Sequence, residues 1–371
     1  MRIIYAFRYF DMKKYLLNTF VCVCLSYTGF SQLLDSGNLK LNGYLETYYI
    51  YDFNEPVTND RPDFFYSFDR HNEININLGA IMLSYESERI KSKIALMSGT
   101  YARANLAHEP SIYRSILEAT ISYKLSEKSN TWVTAGVFPS HIGFESAIGA
   151  DCFNMTRSLM AESSPYYLAG AKINHTTKNE KWEVGLTVAN GWQRIHRSEP
   201  LESIGVGHNL SYMPTDKLSL NSNSYVGEVA RDSSAVMRYF HDFYSEIKLS
   251  NSMDIILGFD IGAQQSSINR DEYFFWYTPA VIARYKISEK LRLGGRLEYY
   301  DDPDEVIITS IEQNGFSVFG GSLNLDVQLS DRLLFRTEAR GFLSEKFIFR
   351  QDNLLVNYNF FIGSSLSFKL E

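Results

Sequence analysis

Between Val356 and Leu370 the chain alternates. One parity carries Val356, Tyr358, Phe360, Ile362, Ser364, Leu366, Phe368 and Leu370; the other carries Asn357, Asn359, Phe361, Gly363, Ser365, Ser367 and Lys369. Side chains on a strand point to opposite faces with period two, so this segment makes a ribbon with one apolar face and one mostly polar or small. It is far longer than the usual strand of about 5–6 residues. It has the length to cross a bilayer obliquely, where roughly 9–11 residues lie in hydrocarbon.

The pattern recurs. Sixteen strand-like segments can be read, at approximately 38–52, 70–85, 89–103, 112–125, 131–139, 166–177, 181–192, 203–213, 217–229, 236–249, 253–266, 272–287, 290–301, 316–329, 332–344 and 353–370. In 290–301, Leu291, Leu293, Leu297 and Tyr299 oppose Arg292, Arg296 and Glu298. Tight connections with turn chemistry, such as Ser87-Glu88, Asn251-Ser252 and Ser330-Asp331, alternate with generally longer ones at 53–69, 104–111, 140–165, 193–202, 230–235, 267–271, 302–315 and 345–352. Sixteen strands with both ends periplasmic need seven short turns and eight external loops, the count and order found here. Fourteen or eighteen strands also fit within the uncertainty of the segment edges.

Composition agrees. Aromatic residues make up 15% of the chain, with 25 Phe and 25 Tyr, as two interfacial girdles require, and Pro is scarce at 9. A mean hydropathy of −0.21 excludes a helical membrane bundle. A soluble sandwich or solenoid would have shorter strands, and no repeat of 20–50 residues is present. Such a fold would also bury Arg292, Arg296, Glu298, Arg336, Glu338 and Arg340 in one core, whereas a water-filled lumen would keep them solvated. The expectation is an all-β, transmembrane, up-and-down antiparallel β-barrel.

Residues 1–31 read as an export signal: Met12-Lys13-Lys14, an apolar run from Tyr15 to Phe30, and a small-residue cleavage context at Gly29-Phe30-Ser31. Met12 is an alternative start, and an amino-terminal anchor is the other reading of the run. Residues 32–371 then form the barrel. Cys22 and Cys24 fall in the signal, leaving Cys152 with no intrachain partner. The exported chain carries 32 basic against 42 acidic residues, a net −10, which excludes a nucleic-acid binder.

Two places carry candidate function. The connection 140–165 is the longest. Its apolar anchors (Ile142, Phe144, Ile148, Phe153, Met155, Leu159, Met160) suit a loop packed inside the barrel; its charges are Glu145, Asp151, Arg157 and Glu162. The other reading is a surface loop with a short helix. The inward parity of the later strands gathers Arg284, Lys286, Arg292, Arg296, Arg336 and Arg340 with the acids Glu298, Asp326 and Glu338. Loop acids opposite wall arginines would set a transverse field in a water-filled constriction. Equally, the arginines could neutralise lumenal acids and stiffen the wall. No catalytic set stands out: Gly-x-Ser-x-Gly is absent, His141 and Glu145 lack a further ligand for zinc, and His208 and His241 are not coupled by spacing. Cys152 reads as a small loop residue. Asn190-Gly191-Trp192 reads as a strand end with an interfacial Trp. No metal or cofactor is expected.

Gly43-Tyr44-Leu45-Glu46-Thr47-Tyr48-Tyr49 with Asp52-Phe53-Asn54, Ala135-Gly136-Val137-Phe138, Ile142-Gly143-Phe144-Glu145, Asn154 with Thr156-Arg157-Ser158, Ser164-Pro165-Tyr166 and Asn190-Gly191-Trp192 resemble the β-barrel porin-2 (OmpL-like) family of Gram-negative, Bacteroidetes-type outer membranes. The resemblance covers most of the exported chain. It implies an outer-membrane porin, and by analogy with general porins the loop after the fifth strand is expected to fold inward and narrow the pore. Partners would be outer-membrane lipid, small polar solutes, barrel-assembly machinery and, by analogy with sixteen-stranded porins, two further copies in a trimer. The chain departs from the usual ending by closing on Phe368-Lys369-Leu370-Glu371 rather than on a terminal aromatic. The expected function is a passive, mildly anion-tolerant diffusion channel for small polar solutes. A binding or adhesion barrel is the alternative, and a barrel enzyme such as a lipase a third.

Overall fold

The computed structural model describes residues 38–197, 199–231 and 234–370. The signal read at 1–31 lies outside them. Sixteen antiparallel strands close into one barrel. They are β1 (Leu39–Asp52), β2 (Ile74–Glu86), β3 (Ile90–Ser98), β4 (Ile116–Lys124), β5 (Asn130–Pro139), β6 (Tyr167–Thr176), β7 (Trp182–Ala189), β8 (Gly205–Thr215), β9 (Leu218–Arg231), β10 (Ser234–Lys248), β11 (Met253–Gln265), β12 (Tyr273–Lys286), β13 (Leu291–Asp302), β14 (Phe316–Ser330), β15 (Leu333–Leu343) and β18 (Tyr358–Leu370). The short strands β16 (Phe349–Gln351) and β17 (Leu354–Val356) form a separate hairpin in the last external loop. Each barrel strand pairs with its chain neighbour, and β18 returns to β1 from Gly43↔Leu370 to Asp52↔Phe361, leaving no open edge.

Alternation sorts the two faces. On β18, Tyr358, Phe360, Ile362, Leu366 and Phe368 are exposed toward lipid, while Asn359, Phe361, Ser365 and Ser367 are buried inside. Leu297 on β13 and Leu323 on β14 face outward. Trp182 and Tyr212 stack at 4.1 Å near the short-turn end, and Tyr239 and Tyr273 meet at 6.1 Å near the other, as in two girdles.

Two predicted segments end differently. The third stops at Ser98 rather than 103, because Gly99 adopts φ 126°, and a Cβ there would lie 2.4 Å from Asn77 O. A short helix follows, α1 (Thr100–Asn105), with Tyr101 buried inside the barrel. The last segment begins at Tyr358. Val356, expected on the lipid face, lies in the β16–β17 hairpin and packs on the interior apolar cluster.

The upper lumen is narrowed by apolar packing. Phe64, Phe65 and Phe68 from the first external loop, Val306 and Ile308 from the 303–315 loop, and Ile348 and Phe349 from the last pack on wall aromatics such as Tyr225, Phe240, Trp276 and Phe342. Trp192, expected at the membrane interface, is turned inward against Tyr225 and Phe240 at 5.2 and 5.0 Å. Gly191 at φ 156° makes that turn.

Candidate functional site

The loop between β5 and β6 enters the barrel and crosses it. It starts against β8–β11: His141 Nε2 lies 2.8 Å from Ser224 O, and Gly143 N donates to Asp242 at 3.2 Å. The Phe144 and Tyr244 rings meet at 5.3 Å. A 3-10 turn, Gly149–Asp151, then sits against β1. A Cβ on Gly149 would lie 2.6 Å from Glu46 Oε1, so a larger residue there would have to displace that carboxylate. The loop continues over β13–β15 and ends in a helical turn, α2 (Leu159–Glu162), capped by Ser158, whose Oγ accepts from Ala161 N at 3.3 Å.

Beneath it lies a neutral checkerboard. Arg336 makes a two-pronged bond to Asp326 at 2.7 and 3.1 Å. Arg296 is 3.1 Å from both Glu298 and Glu338, and Arg340 is 2.6 Å from Glu298. All three arginines are sealed from solvent. Their remaining donors hold loop carbonyls: Arg336 serves Gly149, Cys152, Phe153 and Asn154 at 2.8–3.0 Å, Arg296 serves Thr156 at 2.8 Å, and Arg340 serves Arg157 at 2.8 Å. The acids take loop N–H groups in turn. Glu338 accepts from Thr156 N at 2.6 Å and Glu298 from Leu159 N at 2.7 Å. Backbone groups spread over the eleven residues 149–159 thus find partners on the wall, as buried peptide groups require.

The expected wall therefore divides. Arg296, Arg336 and Arg340, with Glu298 and Glu338, do not face water across a gap from the loop; the loop lies directly on them. Ion pairing and peptide groups, rather than lumenal water, compensate these charges. Arg284 keeps a partly exposed pair with Asp254 at 3.2 Å and stands 4.0 Å over the Phe153 ring. Lys286 pairs with Glu289 at 2.6 Å at the short-turn end, and Arg292 lies between Lys286 and Asp326 in register.

The loop charges also differ from one another. Arg157 is buried and staples the loop to itself through Ser146 O, Met155 O and Ala147 O at 2.7, 2.8 and 3.2 Å. Glu145 accepts from Ser158 N at 2.9 Å. Asp151 pairs with Lys369. Burial pushes the Glu162 carboxyl up to about 8, against the pull of the Tyr66 N–H donated to it at 3.0 Å. Burial likewise raises the Cys152 thiol, so it is no ready nucleophile.

Two cavities flank the loop. One of about 490 Å³ is lined by Tyr44, Lys93, Glu118, Glu145, Asp151 and Lys369. The other, about 530 Å³, opens among the external loops and has six acids (Asp52, Glu55, Asp60, Asp63, Glu162, Asp352) to two arginines, Arg61 and Arg350. Ala161 lines the first and Glu162 the second, so α2 stands between them.

Residues 38–370 match the family model described as Putative beta-barrel porin-2, OmpL-like. The chain belongs to that family. Among solved structures it is similar to the anion-selective porin from Comamonas acidovorans, with a TM-score of 0.60, 8% identity, and 90% of this chain and 99% of that one covered. It is also similar to Salmonella typhi OmpF in complex with daunomycin, at 0.58 and 10%, covering 90% and 97%. The trimer form of OmpT from Vibrio cholerae gives 0.57 and 9%, covering 90% and 99%. Among curated proteins, none matches. These likenesses establish the fold, and family and fold together make the chain a porin-like outer-membrane protein.

Sequence spacing had not coupled His208 and His241. Their rings lie 5.9 Å apart on the outer face of β8–β10, joined through Ser222 and Ser224. In register they face Leu186 and Ile261, both lipid-exposed. Strand pairing alone creates this polar patch in an apolar band.

Proposed function

We propose that this porin-family barrel is a restrictive diffusion channel for small polar solutes, and that the loop at 140–165 limits passage. The observation that carries the reading is the pair of cavities separated by α2 alone, one on each side of a loop pinned to the wall. The route runs past Glu145 and Asp151 on one side of α2 and Glu162 on the other. Because Arg296, Arg336 and Arg340 are neutralised under the loop, they contribute little field to that route. The external cavity is acidic, so anions gain little there, and weak selectivity is the expected result. Swelling of liposomes carrying the purified protein tests passage, with sugars of increasing size as solutes. Impermeability to all of them, glycerol-sized ones included, would sink the channel reading. Reversal potentials in a salt gradient test selectivity; a strong anion preference would contradict the structural part given to the buried arginines.

The reading extends to self-association. An imidazole–hydroxyl patch facing hydrocarbon is unfavourable, and His and Ser each donate and accept, so a second copy of the same barrel can cover it. Light scattering of the detergent complex should give an oligomer for the native chain and a smaller species for His208→Leu with Ser224→Leu. An unchanged mass would refute this placement of the interface.

A further inference from the structure

On the wall away from the checkerboard, two acids stand together without a basic partner. Asp242 on β10 and Asp260 on β11 are directly opposed in register, both inward and sealed at 0% and 2% exposure. Direct pairing across the two strands sets their carboxyl groups side by side on the inner face. The donors that reach them from elsewhere are neutral: Asn223 Nδ2 at 2.6 Å and Gly143 N at 3.2 Å, both to Asp242 Oδ2. Asp242 Oδ1 and Asp260 Oδ1 receive no donor. Next in the same row is Thr278 on β12, in register with Asp260; it is 1% exposed and its Oγ1 also lacks a partner.

Two carboxylates in contact and out of water cannot both remain ionised without a positive counterpart. No lysine or arginine stands at ion-pair distance from either among the described residues. A shared proton would join the carboxyls and leave Thr278 Oγ1 unused. A cation on this row has an unpartnered oxygen from each of the three side chains to draw on. We propose that Asp242, Asp260 and Thr278 form a binding site for one hard divalent cation of the calcium class. Such ions take oxygen donors only, tolerate irregular geometry and accept a carboxylate through one oxygen or both, and two carboxylates cancel their charge. Since Asp242 also holds Gly143, where the loop enters the lumen, the ion would fix the root of that loop.

The test uses the full chain in detergent micelles, stripped with EDTA and titrated with Tb³⁺, then competed with Ca²⁺. The expected result is one Tb³⁺ per chain, displaced by Ca²⁺, together with a thermal midpoint that EDTA lowers and Ca²⁺ restores. Asp260→Asn should weaken binding by about tenfold or more, as loss of a carboxylate ligand does to ion affinity. Thr278→Val keeps both carboxylates and near-identical shape; it too should weaken binding, and it serves if Asp260→Asn does not fold. Absence of bound Tb³⁺ and Ca²⁺ would overturn the site. So would affinities unchanged in both variants, or a midpoint indifferent to EDTA that falls as pH rises, the mark of a shared proton. None of these readouts depends on conduction, so the site and the channel reading fail or stand separately.

Discussion

Replacing Arg336 by Ala should release the loop from the wall while the barrel stays closed. The guanidinium is fully buried, grips both oxygens of Asp326 and holds four loop carbonyls. Its loss leaves Asp326 as an unpaired buried charge, a cost of about 3–5 kcal/mol. The four carbonyls lose donors worth about 1 kcal/mol each. Lifting the loop into water relieves both terms, because the carboxylate and the carbonyls are then hydrated. The strand ladder does not use this side chain, so the penalty falls on docking. Either term alone, at about 4 kcal/mol, changes the ratio of docked to released loop by roughly a thousandfold. Limited proteolysis in detergent should then cut the variant between residues 140 and 165 and spare the native chain, and single-channel conductance should rise severalfold. Arg336→Met combined with Asp326→Asn removes the stranded charge and should recover much of the protection. If Arg336→Ala keeps native protease resistance and conductance, the arginine does not hold the loop and the reasoning fails.

Glu162 gives a pH test. Its carboxyl binds a proton more tightly in the docked loop than when exposed, so docking is most stable below about 4.5 and weakens as pH rises through about 8. Hydrogen exchange of the Tyr66 region, corrected for intrinsic rate, should speed up across that window in the native chain and stay flat in Glu162→Gln. Gly99→Ala should cost about 1–3 kcal/mol, since φ 126° and a carbonyl 2.4 Å from the new Cβ both oppose it; an unfolding midpoint equal to the native one would contradict the strained turn. Leu323→Arg on the lipid face should lower folding stability in bilayers by about 2–4 kcal/mol if it lies near the midplane. A neutral effect there would mean that β14 is not oriented as described.

The strands were legible because alternation is a local property. Each residue's parity can be read from its neighbours, and the predicted 217–229 and 290–301 differ from β9 and β13 by only one or two residues at either end. The inward fold of 140–165 was legible too, from apolar residues too many for a rim loop. The work of its charges was not. Arg157 reads as a loop charge, yet it serves only loop carbonyls; Trp192 reads as an interfacial anchor, yet it faces the lumen. Which water such groups meet depends on what packs above them.

From its own pattern, then, the chain determines an antiparallel membrane barrel of about sixteen strands, its lipid face and the place of its longest loop, since period-two alternation and turn chemistry act over a few residues. Tertiary structure decides the rest. Strand register sets Asp242 beside Asp260 and His208 near His241, residues that spacing leaves unrelated. Closure of the barrel brings β13–β15 under the loop, and only then do Arg296, Arg336 and Arg340 become buried supports instead of a charged pore wall. Side-chain direction follows from local geometry, whereas desolvation depends on every element that covers the group.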